Sequence, residues 1–529
     1  MRKFREKLRV ASFDEIAIRM SGHDNVAVAK NDIGKDTVIR LNGTKIPVED
    51  VIPKGHRFSL SDIKNGDFVL QYGSPFGLSK GVKRGQIINK RNVGAYSNNG
   101  YASLANEIFK VNRADQKDKQ HNNTQIDKTF WGYKRSNGRV GTRNYYLIVP
   151  TSLCASDIAV KIAYSLDISK ALKKKYKNID GIIAAAHTEG CGCNDGEIIE
   201  RLMLTLKNTI AHPNVGGVLI IDLGCEKTNR KVVSRYFDGL FQCGKPIDYI
   251  TIQDLGGTRK TFEEGRKIIL ERLEEVNDVA REEVHIKHLV IGTECGASDS
   301  FSGITSNPVI GQTVDKIIHG GGSAILSETP EMIGAETCLM QRMVSKKVAE
   351  KFINGMEYYK SLANRLSVSM NGNFVPGNEE GGLINLTLKS LGAIQKGGST
   401  QIVDFLGYSE TLRRSGLSLM NGPGNDLESM TGIVASGANI ILFSTGMGTT
   451  EGNLIAPVIK LSSRTEVFKK MSEDIDFNTG ALLDENVSLD QLADKLLDLV
   501  VEVASGKKTW SEIWEKRSFQ IWSAGKLSL

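Results

Sequence analysis

The chain has 529 residues, 40% hydrophobic and 24% charged, which is too long for one core and too apolar for a disordered chain. Its net charge of +7 is dispersed: the densest basic runs, "RKFREKLR" (2–9) and "KKKYK" (173–177), lack the interleaved aromatics of a nucleic-acid platform and read as solvated faces. No signal-peptide core follows the basic start, no run of about 18 apolar residues offers a membrane span, and seven scattered cysteines argue for reduced thiols in a cytoplasm.

Residues 12–95 read as short strands broken by Gly and Asn, as in "NVAVAKNDI" (25–33), "TVIRLNGTKI" (37–46) and "DFVLQYGS" (67–74). This predicts a small all-β domain. Residues 96–128 are polar and aperiodic, and read as a linker. The pattern then changes. Short apolar runs, "YYLIVP" (145–150), "GIIAAAH" (181–187), "GVLIIDLG" (217–224) and "HLVIGTEC" (288–295), alternate with amphipathic stretches such as "GEIIERLMLTLKNTI" (196–210). Buried strands alternating with helices predict a large α/β body with a mainly parallel sheet, in two subdomains, 129–285 and 286–529.

Ligands of open α/β sheets sit beyond the carboxyl ends of the strands. Cys154, Cys191, Cys225 and Cys295 each follow a different predicted strand closely. Free cysteine is commonly a small buried hydrophobe, but four at equivalent positions point to a shared site. Cys191, Cys225 and Cys295 lie in glycine-containing turns, "EGCGC", "LGCEK" and "ECGAS", and three thiolates would leave a metal or cluster one open position. The spacing is not that of a zinc ribbon or ferredoxin. Cys193 stands two residues from Cys191; Cys243 and Cys338 read as structural. His187 at a strand end is either a ligand or general base, or a capping histidine. His212, His285, His288 and His319 sit in surface-like contexts.

"CGASDSFSGITSNP" (295–308) groups Ser298, Asp299, Ser302 and Asn307, which suits a polar substrate or a helix N-cap. Arg143 and Asn144 precede the first strand of the body, where an arginine serves a substrate carboxylate or a structural ion pair. No dinucleotide fingerprint or Walker A motif is present.

Taken together, "DNVAVA", "IPKGHRFSL", "HTEGCG", "LGCEK", "CGASDSFSGITSNPVIG", "ILSETPEMIGAE", "PGNEEGGL" and "EDIDFNTG" run in order along nearly the whole chain. In these the chain resembles the altronate/galactarate dehydratase family. The resemblance implies an N-terminal SAF-type β-clip domain and a lyase that removes water from a sugar acid to give a 2-keto-3-deoxy acid. It implies dependence on Fe2+ or another divalent metal, while the thiolates themselves leave an iron–sulfur cluster open. By carry-over, His23 and His56 match histidines of the first domain, and His187, Cys191, Cys225 and Cys295 match motif positions of the body. Met447 stands where the family carries an arginine, and Glu189 where it often carries an aromatic ring. A changed substrate follows, with sulfite elimination from a sulfolactate-like acid, or binding without turnover, as alternatives.

Dehydration takes the C2 proton and expels hydroxide from C3, so it needs a Lewis acid or cation at the carboxylate, a base and an acid. The expected assignments are Cys191, Cys225, Cys295 and His23 for metal; His187, His56 and Glu189 for catalysis; and Arg143, Asn144, Ser298, Asp299, Ser302, Asn307 and Lys460 for substrate. The expected partner is a small-molecule sugar acid. A homo-oligomer is expected from the base rate for enzymes of this size.

Overall fold

A computed structural model describes residues 10–94, 126–167, 170–240 and 244–523. Most of the predicted linker, the basic N-terminal run and Cys243 lie outside them. The N-terminal domain consists of short strands. Ala17–Ile18, Val26–Ala29, Arg57–Ser59 and Ile87–Ile88 form one antiparallel sheet, and two three-stranded sheets flank it. Its core is Phe13, Ala27, Ile39, Ile46, Ile52 and Phe58. The hairpin of Phe68–Gln71 and Ser74–Ser79 turns at Tyr72 and Gly73, both at positive φ (58° and 70°). A tight hairpin needs that backbone, and here it carries the Tyr72 ring to the body, where its hydroxyl meets Gly303.

The body has two parallel sheets. The first is four-stranded, in the order Gly181–Ala184, Tyr145–Pro150, Val215–Asp222, Ile247–Thr251. Its strands are buried on both faces, which is why they read as unbroken apolar runs rather than alternating ones. Helices Leu153–Asp167 and Thr258–Asn277 cover one face, and Glu197–Ile210 covers the other. The second sheet is seven-stranded and parallel, in the order Ile402–Leu406, Gly416–Met420, Ser323–Leu326, Val290–Gly296, Ile440–Thr445, Val458–Ser462, Phe477–Asn478. Helices Ser306–His319 and Leu489–Ala504 pack together on it, and Asp426–Ala435 packs elsewhere on it against Glu197–Ile210. One core, with Leu147 and Val218 from the first sheet and Phe443 and Val458 from the second, joins the two.

A third, antiparallel sheet closes the seam: Thr129–Lys134 pairs with Val140–Gly141 and with Arg281–His285. His212, placed at the surface by its sequence context, is instead fully buried. Its Nε2 donates to Ala438 O (3.1 Å) and its Nδ1 accepts from Asn214 N (3.1 Å), so it links the two halves of the body. No helix among the described residues is long and apolar enough to cross a membrane.

Candidate functional site

The carboxyl end of Val290–Gly296, in the middle of the larger sheet, delivers Glu294 and Cys295. The neighbouring strand Ser323–Leu326 runs into Glu328 and then Glu331 on a short 3-10 turn. Glu328 holds φ at 69°, a left-handed conformation that costs a non-glycine residue about 1–3 kcal/mol and persists where its surroundings over-determine it. Here they do. Lys396 Nζ lies 2.5 Å from Glu328 Oε2 and 2.6 Å from Cys295 Sγ, and Cys295 Sγ lies 2.9 Å from Glu331 Oε2. Lys389 closes the chain with an ion pair to Glu331 at 2.9 Å. On the other side, ligand oxygens of Glu294, Glu328 and Asp426 all come within 4.8 Å of one another.

This nest is buried, with Cys295 2% and Lys396 1% exposed, so its charges depend on one another rather than on water. Burial, then Glu328 and Glu331, push the Cys295 thiol well above its ordinary value. Burial and Glu328 do the same to Glu294, and burial with Glu328 and Glu331 raises Asp426 to about 7. Glu331 goes the other way: burial would raise it, but Lys389 and Lys396 outweigh burial and keep it below the usual carboxylate range. Lys396 is held well above its ordinary value, because Cys295, Glu328 and Glu331 overcome the penalty of burial.

A polar loop links the nest to the small domain. Asp299 Oδ1 accepts from Ser302 N, Ser302 Oγ and Ser463 Oγ, and its other oxygen pairs with Arg464 Nε at 3.0 Å. Ser298, Asp299, Ser302 and Asn307 line a narrow cavity with Tyr72 and Lys389. Asn307 Oδ1 is buried without a hydrogen bond, an acceptor aimed at nothing in the protein. From the small domain, Arg57 reaches across to Ser300 Oγ (2.9 Å) and Gly382 O (2.6 Å).

The expected residues separate into groups. Ser298, Asp299, Ser302 and Asn307 come together beside the nest. Cys295 belongs to the nest and not with Cys191 and Cys225, because its strand lies in a different sheet. The sulfur that does lie near those two is Cys154, whose thiol is raised above its ordinary value by partial burial and then by Cys191, with Cys225 a weaker influence. His187 is not placed as a base or ligand: Nε2 donates to Pro150 O (2.9 Å) and Nδ1 accepts from Glu189 N (3.1 Å), so its ring shapes the turn. Glu189 is buried in that turn, with Oε1 accepting from Thr188 Oγ1.

Arg143 is fully buried in a structural pair with Glu512 (2.6 Å) and further bonds to Val503 O and Lys507 O. Asn144 donates to Asn178 O and Val276 O. Lys460 is buried, its Nζ on Glu451 O at 3.3 Å. These three hold the body together and do not face the polar cavity. His23 is exposed in a surface turn, while its neighbour Asp24 caps Gly73 N and Ser21 N. His56 is half-buried at the seam, next to Gly55, which rests against Phe301 and Ser300. Glu294, Glu328, Glu331, Lys389, Lys396 and Asp426 went unread in the sequence. The available signal was a carboxylate inside or just after an apolar run, in "LVIGTEC" and "AILSETPEM". Cys338, read as structural, contacts Ser74 Oγ at 3.2 Å.

Three family profiles match the chain in order. They are the altronate/galactarate dehydratase SAF domain over 15–95, the D-galactarate dehydratase/altronate hydrolase second domain over 132–277, and the D-galactarate/altronate dehydratase C-terminal domain over 286–527. The chain is 33% identical over 517 residues to an altronate dehydratase of Bacillus subtilis (strain 168), covering 96% of this chain and 99% of that one. It is 31% identical to the galactarate dehydratase (L-threo-forming) of Escherichia coli (strain K12), covering 94% of each chain. It is also 31% identical over 397 residues to a (2R)-sulfolactate sulfo-lyase subunit beta of Chromohalobacter salexigens, covering 74% of this chain and 97% of that one. With the profiles spanning both the small domain and the whole body, the chain belongs to the altronate/galactarate dehydratase family of hydro-lyases.

Proposed function

We propose that this enzyme dehydrates an aldonic or aldaric acid to its 2-keto-3-deoxy acid, with the reacting carbons at the nest and the polar residues of the Tyr72 cavity beside it. The carrying observation is the unbroken chain of short contacts Lys389–Glu331–Cys295–Lys396–Glu328, which begins at a residue lining that cavity. It supplies the parts an elimination needs. The Lys389 and Lys396 ammoniums offset the second negative charge that grows on the substrate carboxylate as C2 loses its proton. Glu331, flanked by those ammoniums, accepts that proton. The Cys295 thiol gives its own proton to the C3 hydroxyl, which leaves as water. The 2.9 Å contact then returns the proton from Glu331 to Cys295, and the enol product tautomerises to the ketone. Ser298, Ser302 and Asn307 offer hydrogen bonds to the polyol.

The reading includes a divalent cation, iron(II) or a similar ion. Glu294, Glu328 and Asp426 fit one: three crowded carboxylates cannot all ionise unaided, and Glu294 Oε1 is buried with no hydrogen bond. When bound, such an ion acts as a Lewis acid on the substrate carboxylate and hydroxyl. The test is a panel of aldonic and aldaric acids, assayed for 2-keto product with Fe2+ or Mn2+ present. Glu331→Gln is expected to lower kcat by about 10²–10⁴-fold. If no sugar acid yields a 2-keto product, the reading fails.

The match to a sulfo-lyase subunit favours a second reading, sulfite elimination from a 3-sulfo-2-hydroxy acid. The same base serves it, since only the leaving group differs. Release of sulfite rather than water from the panel would select it.

A further inference from the structure

We propose that Cys154, Cys191 and Cys225 are the three thiolate ligands of an iron–sulfur cluster of the four-iron type, whose remaining iron has no protein thiolate. The site is separate from the nest and shares none of its residues.

Strands Gly181–Ala184, Tyr145–Pro150 and Val215–Asp222 are adjacent and parallel, and the segment after each carries one of these cysteines: Cys191 and Cys225 in loops, Cys154 in the first turn of the helix Leu153–Asp167. The segments are fastened to one another. Leu153 N donates to Glu189 O (2.8 Å). Thr228 Oγ1 reaches both Thr151 O (2.6 Å) and Gly190 O (3.2 Å). Glu226 accepts from Thr151 Oγ1 and Ser152 Oγ (3.0 Å each) and from the amides of Leu223 and Gly224 (2.8 and 2.7 Å). Gly190, at φ 91°, is pressed so close that a Cβ there would stand 2.4 Å from Thr151 O. A buried polar frame of this kind fixes three strand-end segments to one another, and what those segments hold in common is a thiol each.

The thiols themselves are not packing groups. Cys154, Cys191 and Cys225 are exposed, whereas Cys193, two residues away, is fully buried in the core between the sheets. Exposed thiols on adjacent strand ends are soft ligands, which suit iron and sulfide rather than Mg2+ or Ca2+. Thiolates suit a single soft ion as well as a cluster, and acid-labile sulfide separates the two. The three cysteines bind as thiolates, each having released its proton to solvent.

One helix lies near both sites. The helix Asp426–Ala435 begins between the two sheets. Asp426 joins the nest, and Glu428 is close enough to Glu189, in the Cys191 turn, to feel its charge.

The test uses the full chain, purified anaerobically from iron-replete cells. The expected result is about four iron and four acid-labile sulfide per chain, with visible charge-transfer absorbance. Cys154→Ser, Cys191→Ser and Cys225→Ser should each lose most of both, while Cys193→Ser and Cys295→Ser keep them. Iron without sulfide, or a cluster that survives loss of Cys154, overturns the proposal. Alkylation covers the case of a misfolded variant. In the wild-type protein the three thiols should resist iodoacetamide until a chelator is added, and equal labelling before and after chelation overturns the proposal too. Glu331→Gln should lower turnover by about 10²–10⁴-fold with the cluster intact, so failure of the dehydration reading and failure of this one are distinguishable.

Discussion

Both parallel sheets of the body gather reactive side chains at their carboxyl ends, yet they make opposite kinds of site. At the larger sheet, a thiol, three carboxylates and two lysines are shut away from water with Asp426 half-buried beside them, and each charge is set by its neighbours. At the smaller sheet, three thiols stand exposed on two loops and a helix start whose hydrogen bonds are made by other residues. Strand topology explains why each site is where it is. Burial and ligand type decide what each can do. The buried site suits proton transfer and charge stabilisation, and the exposed one suits a soft metal group.

The contrast is broken most forcefully at Lys396. Lys396→Met leaves Glu328 and Cys295 without their buried cation, and breaking such a pair costs about 3–5 kcal/mol. Denaturant unfolding should show that loss, and turnover should fall by about 10²–10³-fold. Unchanged unfolding and activity would mean that the nest is not an interdependent charge system. At the smaller sheet, Gly190→Ala is expected to cost about 1–3 kcal/mol through its left-handed backbone. It should push the Cys191 turn away from Thr151 and lower the bound iron, with the nest's proton chemistry untouched. An alanine variant with full iron content would show that the loop frame does not position the thiols.

The parallel body, its helices and the strand-end positions of all four cysteines were legible in the sequence, because strands buried on both faces write themselves as apolar runs with polar stops. Which strand ends meet was not legible. Cys295 and Cys225 follow equally convincing strands, but strand order places one in the seven-stranded sheet and the other in the four-stranded one. That order is set by contacts far apart in sequence. Lys396 and Glu328 are 68 residues apart and share no pattern. Arg143 misled for a related reason. An arginine before a strand looks the same whether its carboxylate is a substrate or Glu512, 369 residues later. The "SDSFSG" loop was readable because its polar residues are local and bind one another.

A smaller effect tests how the two sheets are joined. His212 is buried and neutral between them, held well below its ordinary value by burial and by Arg139 and Lys245. The unfolded chain takes up a proton below pH 6.5 that the native His212 refuses, so its contribution is complete above 6.5 and is lost as pH falls below it. The slope is at most about 1.4 kcal/mol per pH unit. His212→Gln should flatten the dependence of Tm on pH in that window, and an unchanged slope would assign it to other groups.

The smallest expected effect lies on the cover of the nest. Lys54 of the small domain pairs with Glu466 of the body, but their side chains are 32% and 60% exposed. Such a pair contributes about 0–1 kcal/mol and weakens with salt. Lys54→Ala should therefore leave Tm nearly unchanged and turnover intact. The small domain is held down instead by buried Arg57, through Gln71, Ser300 and Gly382, and by the Tyr72 ring in the cavity. A large loss of stability in Lys54→Ala that disappeared in high salt would transfer that role to the surface pair. The lid over the buried site would then be electrostatic rather than packed.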